Sequence, residues 1–234
     1  MTIESTDAVR TRASGRADVR QGAEAGEATG WDLIVVSDWM AARLVAAGWA
    51  EELDPGHVPT ALANVRDEFR GLPWDPEMRF HFPWQSVAIG IGYNRVSTGR
   101  ELSSIADLFD PALAGKVTLL RDLRDSLPLV HLALRAQGRA SDRAPDAMTV
   151  EDATAAIDYL RPFVESGHIR AFTGSEYLTD LGSGDTWAAL VWSGDFASSA
   201  SPDDVFAYPE EGWLLTSHSL VVPKGAEHHH AAEL

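Results

Sequence analysis

The chain has 234 residues, 45% hydrophobic and 23% charged, with 35 acidic against 19 basic residues and a formal net charge of -16. That balance repels phosphate backbones and argues against nucleic acid as a partner. The absence of cysteine excludes disulfides, thiolate metal ligands and a cysteine nucleophile.

Residues 1–30 are polar, rich in Ala, Gly and Arg, and without the apolar stretch of a signal peptide. They are expected to be loose, with at most a helix around Ala17 to Ala25. "WDLIVV", residues 31–36, is a short apolar run of the kind found in buried parallel strands. Ser37 and Asp38 follow as N-cap candidates for a helix over "WMAARLVAAG". Residues 52–78 carry four prolines and read as loop, with a short helix near Ala61 to Phe69. "RFHFPWQSVAIGIGYN", residues 79–94, reads as a strand, a joint at Pro83 and a second strand.

A short helix, a turn at Pro111 and a strand over Lys116 to Leu120 come next. "DSLPLVHLALRAQG" is a helix with Pro128 in its first turn. "TVEDATAAIDYLRPFVESG" opens with the capping-box pair Thr149 and Asp152 and continues with amphipathic spacing. "IRAFTG" reads as a strand, "EYLTDLGSGD" as a short helix and "WAALVW" as a buried strand; "DVFAYPEEG" and "WLLTSHSLVVP" add further strands. Strands alternating with helices imply an α/β fold with a mainly parallel sheet. No run of about 18 apolar residues exists, so no membrane span is expected.

Ligands in α/β sheets bind beyond the carboxyl ends of strands. Three strand-to-helix joints carry related residues: Ser37, Asp38 and Trp39; Asp122 and Asp125; and Trp192, Ser193, Gly194 and Asp195. Ser193 does not form a nucleophile elbow, because Val191 and Asp195 stand where glycines are needed. Taken singly, each aspartate reads more simply as an N-cap and each tryptophan as core. Together, ring faces and carboxylates suit an organic cation. Helix N-termini at the same joints equally suit an anion.

Five blocks resemble the substrate-binding proteins of spermidine/putrescine ABC transporters: "GWDLIVVSDWMAARLVAAGW", "FPWQSVAIGIGYN", "SIADLFDPALAGKVTLLRDLRDSL", "RAFTGSEYLTDLGSGDTWAALVWSGD" and "PEEGWLLTSHSLVVPKGA". The resemblance implies a type II periplasmic-binding-protein fold, with two α/β lobes joined by a hinge. It divides the chain into a loose segment 1–30, a partial first lobe 31–82, a second lobe 83–217 and a return into the first lobe over 218–234. Both ends look truncated, leaving the first lobe incomplete. The implied function is capture of a polyamine, putrescine or spermidine, for delivery to ABC permease subunits, by a monomer without cofactor or catalysis. The implied location is periplasmic or extracellular and membrane-associated, although the chain shows no signal peptide.

Carried over by position, Ser37 and Trp39, with the adjacent Asp38, supply first-lobe contacts, and Trp84, Gln85 and Ser86 lie at the first hinge crossing. Asp122 and Asp125 match an acidic pair that receives an amine. Trp192 matches the aromatic lying along the ligand's aliphatic chain, with Asp195 behind it. The chain departs from the family at Thr216 and His218, where an aromatic and an ammonium-clamping aspartate are usual. A protonated histidine there would repel an amine. Trp213 reads as core rather than as a substitute aromatic wall.

Three alternatives stand beside this reading: a hydrolase using Asp122 and Asp125 as an acid–base pair, a truncated relic that binds nothing, and a binder of another small solute. "HHHAAEL" reads as a solvated helix start rather than a metal tract, for want of carboxylate partners in register. "GIGYN" and "GSGD" lack the context of a dinucleotide site. His131 reads as packed within its helix, and His81 beside the hinge carries no mechanism alone.

Overall fold

A computed structural model of the chain describes residues 30–199 and 201–233. The helix expected over Ala17 to Ala25 lies outside them. In chain order the elements are β1 (Ile34–Ser37), α1 (Asp38–Ala46), α2 (Pro59–Asn64), β2 (Phe82–Asn94), α3 (Arg95–Thr98), β3 (Val117–Leu120), α4 (Leu123–Ala136), α5 (Val150–Glu165), β4 (Ile169–Thr173), α6 (Tyr177–Ser183), β5 (Ala188–Trp192), α7 (Ser193–Ser199), β6 (Asp204–Ala207), β7 (Leu214–Val221) and α8 (His229–Glu233). Short 3-10 turns fill several of the connections. No described helix is long and apolar enough to cross a membrane.

The chain forms two compact units. One ends at Ser86 and resumes at Thr216; the other is Val87–Leu215. The chain passes from the first to the second within β2 and returns within β7.

In the first unit β1 pairs antiparallel with β7, in a register that sets Ser37 opposite His218 and Val36 opposite Ser219. Ala41 and Leu44 of α1 pack with Ala50 and Val221 into a small core. The stretch before β2 is a turn rather than the expected strand. Asp75 gathers it by accepting from the Arg79 and Phe80 amides at 2.9 and 2.8 Å and from His81 Nδ1 at 2.7 Å. That turn holds Met78 at φ 53°, a left-handed conformation that a non-glycine residue adopts only when its surroundings over-determine it. Pro83 makes no joint either. It is the second residue of one continuous strand, where a missing N–H is tolerated.

In the second unit the strands lie in the order β6-β2-β5-β3-β4. The expectation of a mainly parallel sheet is corrected: β5–β3 and β3–β4 are parallel, whereas β2 runs antiparallel to both β5 and β6. Parallel pairing needs a long crossover, and α4 with α5 provides it between β3 and β4. β3 is wholly buried, as befits a strand covered on both faces. Beside it, α4 buries Leu129, Val130, Leu132 and Leu134, each contributing about 1.5–3 kcal/mol.

The glycines of "GIGYN" serve packing. A Cβ on Gly90 would lie 2.6 Å from the Ala207 carbonyl oxygen, and one on Gly92 would lie 2.7 Å from the Phe196 ring. The capping box of α5 forms as expected, with the Asp152 amide donating to Thr149 Oγ1 at 3.3 Å and the Thr149 amide to Asp152 Oδ2 at 3.0 Å. Pro128 lies in the second turn of α4, not the first, because Asp122 caps the helix earlier by accepting from the Arg124 amide at 3.0 Å. His131 is buried in α4, with Nε2 3.1 Å from the Arg143 carbonyl oxygen.

Candidate functional site

All three joints singled out in the sequence are strand ends leading into helices: β1 into α1 and β5 into α7 directly, and β3 into α4 after Arg121 and Asp122. The last two share the second unit, and there the structure joins their side chains. Trp192, the last residue of β5, donates its indole N–H to Asp125 Oδ2 in the first turn of α4 at 3.1 Å. Its backbone amide donates to the hydroxyl of the buried Tyr177 at 3.2 Å. The backbone is therefore anchored through the amide, and the half-buried ring through its indole N–H. Its centroid lies 6.1 Å from that of Tyr177.

Burial, reinforced by the charge of Asp122, pushes the Asp125 carboxyl up to about 6, while the indole bond and Arg124 pull it the other way. Near neutral pH Asp125 is thus a largely ionised carboxylate with little water around it. Asp122 differs from it. Its Oδ1 accepts from the backbone of Arg124 and from the guanidinium at 3.2 Å, so capping and a local ion pair already occupy it. Asp195 is exposed and accepts from Ser175 Oγ at 2.9 Å. Ser193 is structural: its hydroxyl oxygen accepts from the Ala88 amide at 3.0 Å. A shallow open depression beside these residues is lined by Arg121, Asp122, Leu123 and Arg124.

Seven candidates lie in the first unit. Ser37 is the residue preceding α1, and its hydroxyl makes no side-chain cap bond. Opposite it, across the antiparallel pair, stands His218. Asp38 Oδ1 accepts from Ser219 Oγ at 2.7 Å, which ties the first turn of α1 to β7. Trp39 is half-buried in that same turn. At the start of β2, Trp84 is 59% exposed and Gln85 is exposed, while Ser86 and Ser217 share a 2.7 Å hydroxyl–hydroxyl bond.

Two sequence expectations are corrected. Trp213 is 44% exposed and rests on Tyr208, centroids 5.1 Å apart, so it is not core. "HHHAAEL" does not give a merely solvated helix start. It forms α8, and Glu233 at the end of α8 is buried. A carboxylate partner for the histidines therefore exists within the same helix, because His229 Nε2 lies 3.1 Å from Glu233 Oε1. The sequence also did not reveal His57, which meets Glu233 from 176 residues away. His81, by contrast, is accounted for by its buried pairing with Asp75.

The description bacterial extracellular solute-binding protein belongs to the family that matches residues 13–234. The spermidine/putrescine-binding periplasmic protein 1 of Haemophilus influenzae is 25% identical over 210 residues, covering 88% of this chain and 56% of that protein. The putrescine-binding periplasmic protein of Escherichia coli is 28% identical over 229 residues, covering 90% and 60%. A solved structure from Listeria monocytogenes, assigned to a spermidine/putrescine ABC transporter, superposes with a TM-score of 0.80 at 22% identity, covering 93% of this chain and 64% of that one. The chain thus spans 56 to 60% of the length of these two curated relatives.

Proposed function

The chain belongs to the bacterial extracellular solute-binding proteins, a family of binders and not of enzymes, and from that premise we propose that it captures a linear polyamine such as putrescine or spermidine. In this reading it acts outside the cytoplasmic membrane and hands the amine to the permease of an ABC importer. The observation that carries the proposal is the Trp192–Asp125 pair. It offers a ring held by its indole N–H beside a partly desolvated carboxylate, at the carboxyl end of a parallel strand. An alkyl chain lies on the ring face, and an ammonium gains both the cation–π attraction and a charge-assisted bond.

Asp195, held by Ser175, is the second carboxylate within reach of the β5–α7 joint in this reading. Ser37, Asp38, Trp39, Trp84, Gln85, Ser86 and His218 supply the contacts of the first unit. Asp122 contributes to the field and caps α4, since Arg124 already neutralises much of its charge.

One observation favours a second reading. Arg121 and Arg124 line the depression next to Asp122, and guanidinium groups at a lip recognise carboxylates. A solute carrying both an amine and a carboxylate would use both charges. Tryptophan fluorescence titrations with putrescine, with spermidine and with an ω-amino acid of matched length separate the two. Saturation by the polyamines alone supports the polyamine reading. Saturation by the ω-amino acid alone overturns it. The acid–base alternative has its two unlike carboxylates in Asp125 and Asp122, but the family consists of binders.

A further inference from the structure

Outside the solute-binding candidates, the first unit contains a cluster whose donor atoms converge. His57 lies in the turn after Leu53, and its Nδ1 is 2.5 Å from Glu233 Oε2 and 3.3 Å from His230 Nδ1. One ligand atom from each of the three residues falls within 4.8 Å of the others. An imidazole Nδ1 carries either one proton or one lone pair. At most one shared proton therefore sits among three electron-pair donors, where a divalent cation would engage all of them.

We propose that His57, His230 and Glu233 form a mononuclear site for a zinc-class divalent cation. Two imidazoles and a carboxylate are the donor set that such borderline cations take, and three protein ligands leave a fourth position for water. Tetrahedral bonds of 2.0–2.1 Å place neighbouring donors about 3.3 Å apart. The His57–His230 separation already meets that spacing. The His57–Glu233 hydrogen bond need open by less than about 1 Å once the metal replaces the shared proton.

The surroundings orient the carboxylate as metal sites require. Glu233 Oε1 accepts from the Asp54 amide at 2.6 Å and lies 3.1 Å from His229 Nε2, which leaves Oε2 turned towards His57. Such outer partners fix the position of a ligating oxygen. Glu233 is buried, His57 half-buried and His230 exposed, so the cation enters from the His230 side. Its effect is structural: it clasps α8 to the turn at Asp54–His57, two segments far apart in the chain. The proposal does not depend on which solute the protein carries.

The test is calorimetric titration of the chelator-treated chain with zinc chloride, on the wild type and on His57→Ala, His230→Ala and Glu233→Gln. One zinc per chain is expected, with each substitution weakening binding at least tenfold. Zinc should also raise the thermal midpoint of the wild type but not of His230→Ala, a substitution at an exposed position outside the core. His57→Ala keeps His228, His229 and His230 intact. If it binds zinc as tightly as the wild type, the histidine run alone is an adventitious chelator and the proposal is overturned. Absence of saturable binding to the folded wild type overturns it equally.

Discussion

The indole N–H of Trp192 and the carboxylate of Asp125 meet at 3.1 Å, joining the end of β5 to the first turn of α4. That bond makes the aromatic and the acid one unit. It holds the indole N–H edge of the ring towards the carboxylate. It also favours the charged form of a carboxyl that burial drives towards the neutral one.

Trp192→Phe keeps a ring face and removes the N–H. Without that donor the Asp125 carboxyl should titrate above its present value of about 6. Carbon-detected NMR of the aspartate carboxyls across pH 4 to 8 reads the shift directly. An unchanged midpoint would mean that the bond does not act on the carboxyl.

Asp125→Asn should separate binding from stability. The folded carboxyl titrates at about 6 against 3.8 for an ordinary aspartate, so the folded state holds the extra proton between those values. Its raised value means that stability falls as pH rises through that window. The neutral amide can still accept from the indole and lacks the penalty. It should therefore stabilise the chain by about 2 kcal/mol at pH 7, after discounting for partial exposure, and flatten the slope between pH 4 and 6. Amine affinity should fall tenfold or more in the same variant. Urea unfolding at several pH values, beside a binding isotherm, checks both.

His218→Asp addresses the departure from the family at the residue facing Ser37. In the polyamine reading a carboxylate at this position gains a charge-assisted bond to the second ammonium. Putrescine should then bind at least tenfold tighter. Equal affinity in both proteins would place position 218 outside the ligand's reach.

The Asp75 turn contributes to acid stability. Burial raises its carboxyl, but bonds from His81 and from the Phe80 and Arg79 amides outweigh burial and hold it below 3.8. A lowered value means that the contribution is present above the unfolded value of 3.8 and lost as pH falls through the lower folded one. Asp75→Ala strands two amides and the buried His81, and should cost about 3 kcal/mol at pH 7. A loss below about 1 kcal/mol in urea unfolding would show that water replaces the carboxylate.

The alternation of strand and helix was legible because β3, β5 and α5 carry their period and caps within a few residues. The joints were legible for the same reason: Ser37, Asp122 and Trp192 end apolar runs. What local patterns do not encode is which distant groups meet. Asp122 reads alike as cap or ligand, and only the Arg124 contacts show that it is largely committed. The antiparallel direction of β2 depends on strand order, which periodicity does not carry. The glycines of β2 have partners in β6 and α7, and His57 has one in α8. In each case the signal is a contact between residues far apart in sequence.

The most direct test of polyamine capture is calorimetric titration of the purified chain with putrescine and spermidine, paired with the same titrations of Trp192→Ala. Circular dichroism should first confirm that both proteins are folded. One saturable site at micromolar concentration, abolished by Trp192→Ala, is the expected result. A folded wild-type chain that takes up neither amine, or a Trp192→Ala chain that binds as well as the wild type, would contradict it.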